Sequence, residues 1–214
     1  MTEAWPDLAR TYDAVAADYA ERFAGELAGK PFDRGLLDAF AERVRGPVLD
    51  VGCGPAGHIA RYLADRGVAI HGVDLSPKGV ALAAASHPDI GFAVADLRAL
   101  PVADASQAGL VAFYSVIHIR RPELPAVFAE FHRVLAPGGE LLIAMHGGTG
   151  EVGVDDWFGR AVSTRATLVE LPELAGLLEA AGFAVLEQHR RDPNPEEFPT
   201  PRLYCSASPG INCC

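Results

Sequence analysis

Residues 48–57, Val-Leu-Asp-Val-Gly-Cys-Gly-Pro-Ala-Gly, join an apolar run to a loop with glycines at 52, 54 and 57 and Cys53 between the first two. Glycine at 52 and 54 lets the backbone turn tightly and lets a ligand approach with no Cβ in the way. A strand, a glycine turn and a helix in this order open a nucleotide-binding α/β sheet. Asp74, in Gly-Val-Asp-Leu-Ser-Pro, falls about 20 residues on, where a dinucleotide site wants its acid. A carboxylate has two oxygens and only accepts, so Asp74 suits the vicinal hydroxyls of a ribose. Leu75 beside it would pack on the face of an adenine. Asp50 inside the loop motif points away from a pyrophosphate, which it would repel. It suits a ligand that carries an ammonium and a sulfonium.

These side chains need a particular set of elements to hold them. Val48 to Gly52 reads as a buried strand, followed by a helix with Ile59 and Leu63 on its inner face. Val68 to Val73 is a second strand ending at Asp74, and Ser76 is a fitting N-cap for a helix over about 77–87 that starts with Pro77. Phe92 to Ala95 is a short third strand ending at Asp96. Leu110 to Val116 is a continuous apolar run, expected at the centre of a parallel sheet. Pro122 to Ala136 carries Leu124, Val127, Phe128, Phe131, Val134 and Leu135 at helical spacing, and Pro137-Gly138-Gly139 ends it before a fifth strand, Leu141 to Met145.

Ahead of the sheet, Tyr12, Ala16, Tyr19 and Phe23 share one helix face, and Leu36, Leu37 and Phe40 mark a second helix closed by Gly46-Pro47. Beyond it, 147–170 is Gly-rich and then holds Trp157, Phe158 and one strand near 162–169. A helix with Leu174, Leu177, Leu178 and Ala181, ended by Gly182, precedes two strands at about 183–190 and 202–207. Alternating strands and helices predict an α/β, doubly wound, mostly parallel sheet with right-handed crossovers. In such a sheet ligands bind at the carboxyl ends of the strands. Here those ends are Asp50-Val51-Gly52, Asp74, Asp96 and Ser115 to His118.

Four segments resemble motifs of the small-molecule class I S-adenosylmethionine (SAM)-dependent methyltransferases: Val48–Gly57, Gly72–Pro77, Ala95–Leu97 and Phe131–Gly139, the last reading Phe-His-Arg-Val-Leu-Ala-Pro-Gly-Gly. The pattern Tyr12-Asp13-x-x-Ala16-x-x-Tyr19 resembles the lid helix of the same group. The resemblance covers most of the chain. It implies a seven-stranded, Rossmann-like sheet with an N-terminal helical lid and SAM as cofactor, released as S-adenosylhomocysteine. It further implies that Asp50, Gly52, Cys53, Gly54, Gly57, Asp74, Leu75, Ser76 and Ser115 form the cofactor pocket. Asp96 would accept from the adenine amine, with the Leu97 backbone meeting the ring. Tyr12 or Tyr19 would close over the methionine moiety, unless these rings simply pack an amphipathic helix.

Methyl transfer from a sulfonium is an in-line displacement with a neutral leaving group, so alignment and exclusion of water are the main demands. A base matters only for a hydroxyl or protonated amine acceptor. His118 and His146, just past the fourth and fifth strands, are the candidates, since histidine titrates near neutral pH; either is equally a hydrogen-bonding pocket residue. Trp157, Phe158 and Phe198 are candidates for a hydrophobic acceptor site, or else for the core. A nicotinamide-dependent oxidoreductase shares the glycine loop, and a SAM-binding regulatory protein without turnover shares the pocket. Asp50, Asp96 and the Ala-Pro-Gly-Gly segment speak against the former.

The sequence has 214 residues, 50% of them apolar and 21% charged, enough for one α/β domain. The expected division is a lid over 1–45, a SAM-binding core over 46–146, a substrate-side insert over 147–170, a helix and strands over 171–208, and a tail over 209–214. Lys and Arg number 18 against 28 Asp and Glu, a net charge of −10, which argues against nucleic acid or an anionic membrane as partner. No apolar run is long enough for a transmembrane helix, the N-terminus lacks a signal-peptide pattern, and a cytoplasmic monomer or homodimer acting on a small molecule is expected. Cys53, Cys205, Cys213 and Cys214 give no metal spacing, and no metal is expected. His58, His71, His87, His132 and His189 are scattered and carry no assigned role.

Overall fold

The computed structural model describes residues 7–210; the expectations for the N-terminal stretch through Pro6 and for Cys213 and Cys214 fall outside them. Asp7 caps α1 (Leu8–Phe23), its carboxylate accepting from the Arg10 amide. A single turn of 3₁₀ helix, Glu26–Gly29, leads to α2 (Pro31–Arg43), which begins with proline. Strand and helix then alternate: β1 (Pro47–Val51), α3 (His58–Ala64), β2 (Ala69–Asp74), α4 (Pro77–Ser86), β3 (Gly91–Val94) and β4 (Gln107–Phe113). The second half runs α5 (Leu124–Val134), β5 (Leu135–His146), β6 (Glu151–Trp157), β7 (Arg160–Thr167), α6 (Leu171–Ala180), β8 (Phe183–Arg191) and β9 (Arg202–Pro209).

Seven strands form one sheet in the order β3-β2-β1-β4-β5-β9-β8. The first five are mutually parallel, and β9 inserts antiparallel between β5 and β8. The chain moves outward from β1 to β3, then crosses back to lay β4 on the other side of β1. That reversal opens a crevice at the carboxyl ends of β1 and β4. Each face of the sheet is covered, which is why its central strands are apolar throughout. Phe128 and Phe131 of α5 and Leu174 and Leu178 of α6 pack on Leu110, Leu141 and Ile143. Leu37 and Phe40 of α2 and Ile59 and Leu63 of α3 pack on Val48, Ile70 and Leu142.

The structure departs from the sequence expectation in three places. β4 ends at Phe113, not 116, because Tyr114 takes a left-handed φ of 55° and Val116–His118 turns as 3₁₀ helix. The helix ends at Val134, and β5 begins at once, carrying Pro137-Gly138-Gly139 with an irregular register against β4. The insert is a separate hairpin of two strands. Trp157 pairs with Arg160 across a two-residue turn, Phe158 and Gly159, both at positive φ (57° and 72°). This is the turn whose twist suits a tight hairpin. No helix among the described residues is long and apolar enough to cross a membrane.

Candidate active site

The ends of β1, β2 and β4, the residues that follow β3, and α1 enclose a cavity of about 330 Å³. Its floor is the glycine loop. The Gly52 and Cys53 amides both donate to the Val73 carbonyl, at 2.7 and 3.0 Å, folding the loop back over β2. Gly52 sits at φ 75°, and a Cβ there would stand 2.2 Å from the Ser115 Cβ. Ser115 is pinned in turn, its hydroxyl donating to the Val51 carbonyl at 2.6 Å. Asp74 rises beside the loop. One of its oxygens accepts from the Gly54 amide (2.9 Å) and the other from the Ser76 amide (2.8 Å), leaving lone pairs on both for a ligand. Burial raises its carboxyl above the usual range, and those amides oppose the shift.

Of the expected cofactor residues, Tyr12, Tyr19, Gly52, Gly54, Asp74, Leu75, Ser76, Asp96, Leu97 and Ser115 all line this cavity. Ser76 has a structural duty too: its hydroxyl accepts from the Gly79 amide at 2.9 Å, capping α4, and bonds Asp13 of the lid helix. Asp96 is not alone, since Arg98 clasps both its oxygens (3.0, 3.0 and 2.6 Å) and holds its carboxyl below the ordinary value.

Asp50, Cys53 and Gly57 are not on the cavity wall. Gly57, at φ 55°, is the N-cap of α3, and a Cβ there would meet His87 and Phe92, each at 3.1 Å. The Cys53 thiol is buried, pushed up by loss of water, and lies 3.0 Å from where a Cβ on Gly72 would be. These two shape the loop from behind. Asp50 is buried, with one oxygen (Oδ2) left without a partner. Burial, and then the charge of Asp74, push its carboxyl up to about 8, against a bond from the Ala60 amide.

A second cavity of about 1050 Å³ adjoins the first, and Tyr12, Tyr19, Tyr114 and His118 line both. The lid holds this border. The Thr11 hydroxyl donates to the Ser163 carbonyl at 3.0 Å, Asp18 pairs with Arg160, and Trp157 meets Tyr12 and Tyr19 edge-on at 5.4 and 5.5 Å. Trp157 and Phe198 line the larger cavity. Phe158 does not; it stacks on Trp157 at 5.6 Å, 36% exposed, and serves the lid packing instead of the acceptor wall.

The two histidines are set differently. His118 Nδ1 lies 2.8 Å from the Arg165 carbonyl, so Nδ1 carries the hydrogen. Nε2 is then the lone pair, and it accepts from the Tyr12 hydroxyl at 2.7 Å. Burial lowers the pKa of His118, the Arg165 bond opposing, and the ring stays neutral with its basic nitrogen towards the border. His146 does not fit the expected role of base. Its Nδ1 lone pair is already taken by Arg202 and Thr200, both at 2.7 Å, so Nε2 keeps the hydrogen. Burial, followed by the Arg202 charge, lowers its pKa to about 3.

Sequence reasoning missed Tyr114, Lys30, Glu197 and Arg202, which also line the larger cavity. The unusual backbone of Tyr114 has no residue-type signal, since glycine would be the ordinary choice at positive φ. Arg202 is 4% exposed although it opens a strand after a Pro-rich loop.

Residues 48–139 match the family model of a methyltransferase domain. Malonyl-[acyl-carrier protein] O-methyltransferase of Serratia marcescens is 29% identical over 147 residues, 67% of this chain and 51% of that protein. Methyltransferase GfsG of Streptomyces halstedii is 34% identical over 194 residues, 86% of this chain and 65% of that protein. The chain belongs to the class I SAM-dependent methyltransferases. It spans about half the length of the first curated relatives it matches, 51% and 48% for two malonyl-[acyl-carrier protein] O-methyltransferases. The fold of this chain is also that of the Burkholderia thailandensis 1,6-didemethyltoxoflavin-N1-methyltransferase, crystallised with its namesake ligand and S-adenosylhomocysteine. That likeness has a TM-score of 0.75 at 23% identity and covers 98% and 92% of the two chains. The smaller cavity fits the family's cofactor: Asp74 offers two acceptors and no cation, the loop lacks Cβ atoms at 52 and 54, and the buried Oδ2 of Asp50 lacks a partner.

Proposed function

We propose that the protein transfers the methyl group of SAM to an O, N or C atom of a small-molecule acceptor, by in-line displacement. The observation that carries this reading is the shared wall: two cavities of different character meet at Tyr12, Tyr19, Tyr114 and His118. SAM supplies an electrophilic methyl on a positive sulfur when bound in the smaller one. Asp74 takes the ribose, Leu75, Asp96 and Leu97 the adenine, and Gly52, Gly54 and Ser115 the loop side. Gly57 and Cys53 serve by shaping the loop. Asp50 lies behind the loop as the counter-charge for the cofactor's ammonium. The lid helix Leu8–Phe23 and the 147–170 insert cover the reacting groups, keep water out and set the angle of approach. The described residues, 7–210, form one domain that holds both cavities.

His118 is the base for a hydroxyl acceptor, and it works through Tyr12. As the acceptor's proton passes to the Tyr12 oxygen, the Tyr12 proton passes 2.7 Å to Nε2 of His118. The Arg165 carbonyl then holds the imidazolium by its Nδ1 hydrogen. An N or C acceptor that is already nucleophilic needs only the alignment.

Calorimetric titration with S-adenosylhomocysteine and, separately, with NAD tests the reading. Micromolar binding of the first and none of the second is expected. Binding of NAD alone would return the site to redox chemistry, and S-adenosylhomocysteine binding with no methyl transfer to any acceptor class would leave a regulatory protein.

A further inference from the structure

One wall of the larger cavity is built around the ring of Tyr114. Lys30 Nζ stands 5.8 Å and the Arg202 guanidinium 5.4 Å from the ring centre, and the His146 ring lies 5.2 Å away. Tyr114 is brought there by its positive φ, a conformation a bulky residue keeps only where the surroundings enforce it. Its hydroxyl is directed away, into a chain: Tyr204 donates to Asp33 at 2.8 Å, so Tyr114 is the donor in its 3.0 Å bond to Tyr204.

The hydrogen-bond inventory of this wall is lopsided. Its acids are already served. Glu197 accepts two bonds from Arg191 (2.6 and 2.8 Å) and one from the Asn194 amide (2.8 Å). Glu26 receives Lys30 at 2.7 Å and His58 at 2.8 Å. Its donors are not. Lys30 has three hydrogens, one on Glu26 and one facing Glu197 at a long 3.5 Å. Arg202 has five, and its Nη1 serves Thr200 and His146, while Nε, 3.8 Å from Glu197, has no hydrogen-bond partner although the residue is 4% exposed. His146 keeps a hydrogen on Nε2, because Nδ1 is the acceptor for Arg202. A buried donor left without an acceptor costs roughly 1–3 kcal/mol, more for a charged group. A wall with spare donors, two of them cationic, lacks an acceptor. Arg22 and Glu196 also line the cavity, but both are exposed and of opposite charge.

We propose that the acceptor carries an anionic oxygen group, a carboxylate or a phosphate, received by Lys30, Arg202 and His146 around Tyr114. The rest of the molecule lies towards the aromatic lid of Trp157 and Tyr19. The overall charge of −10 gives no hint of this, because the preference is local. His146 is then a specificity residue acting as a donor. The inference rests on the methyltransferase reading only for what the cavity is for; Lys30, Arg202 and His146 line it in either case.

The test is calorimetric, on the whole chain with and without S-adenosylhomocysteine. The probes are phenylacetate, phenyl phosphate, phenylacetamide and phenethylamine. One of the two anions should bind at least about tenfold tighter than the amide and the amine, and which anion wins identifies the group. Lys30→Gln should cut that preference by about tenfold. His146→Leu should cut it severalfold, while His146→Gln, which keeps a donor, should restore most of it. Arg202 is better left intact, since it braces Thr200 and His146. Equal binding of the neutral amide, preference for the amine, or no binding of either anion would overturn the proposal. If anions bind selectively and S-adenosylhomocysteine does not bind, the anion site stands and the methyl-transfer reading falls. If S-adenosylhomocysteine binds and anions are not preferred, the reverse holds.

Discussion

The two cavities are built in opposite ways. The smaller one is made by short stretches of chain, and backbone does much of the work. Loop amides bond the Val73 carbonyl and the Asp74 carboxylate within 22 residues of one another. The larger one is made by side chains from distant parts of the sequence: Tyr12 with His118, 106 residues apart, and Arg202 with His146, 56 apart. A backbone-built site constrains residue type at each position, because only glycine avoids the close approach. A side-chain-built site constrains only the sum of its donors, acceptors and shapes. Cofactor recognition should therefore be brittle to single changes and acceptor recognition more tunable.

Gly52→Ala gives the largest expected effect. The added methyl would overlap the Ser115 Cβ at 2.2 Å, and alanine resists the φ of 75°. Overpacking costs about 1–3 kcal/mol and the left-handed backbone about 1–2 kcal/mol. Thermal unfolding should show a loss of several kcal/mol, together with lost cofactor affinity. Adding Ser115→Gly should recover the overlap part and leave the backbone part. A stable, fully binding Gly52→Ala protein would show that the smaller cavity is not backbone-limited.

Next come Tyr12→Phe and His118→Ala, for a hydroxyl acceptor. Each should lower kcat by about 100-fold or more, the size of a general-base contribution, with S-adenosylhomocysteine affinity changed only severalfold. If Tyr12→Phe keeps full kcat while His118→Ala loses it, the histidine takes the proton directly. The pH profile follows from the direction of the shift. Burial lowers the His118 pKa below its ordinary 6.5, and only the neutral ring is a base. The rate should thus stay level through neutral pH and fall only on the acid side of that value.

Asp74→Ala should weaken S-adenosylhomocysteine binding by about 100-fold or more, since bonds to a charged acceptor are worth about 1.5–3 kcal/mol each and two are lost. Asp74→Asn, which keeps one acceptor, should lose less. Turnover at saturating SAM should change far less than affinity in both, which separates the two cavities by kinetics.

The same contrast explains what could be read from the sequence. The strands, their order of appearance and the lining residues from Gly52 to Leu97 follow local rules of apolar runs, glycine turns and caps, and the structure has them. Gly57 and Cys53 belong to the same motif, yet they face the back of the loop, because a sequence motif does not record which side of a turn is concave. The first strand of the hairpin escaped notice because Val152 and Val154 alternate with polar residues too briefly to outweigh Gly150 and Gly153. His146 was legible as a cleft residue but not as a donor. Its tautomer is decided by Arg202, which is 56 residues away.

The smallest effect concerns Asp50, which belongs to the local motif but senses charge at a distance. In the absence of ligand its carboxyl is pushed up to about 8 from an ordinary 3.8, first by burial and then by Asp74. A carboxyl raised on folding binds its proton more tightly in the folded state. The stability this provides is fully present below 3.8 and is lost as pH climbs through about 8. The melting temperature of the ligand-free protein should therefore drop by a few degrees more between about pH 6 and pH 9 than that of Asp50→Asn. A ligand ammonium placed near Asp50 changes the sign of the local field and favours the ionised form. With saturating S-adenosylhomocysteine, the wild-type slope should flatten towards that of the variant. With decarboxylated or deaminated analogues of S-adenosylhomocysteine, only the one that keeps the amine should flatten it. If both analogues flatten the slope equally, Asp50 responds to loop closure alone, and the cofactor's ammonium has its counter-charge elsewhere.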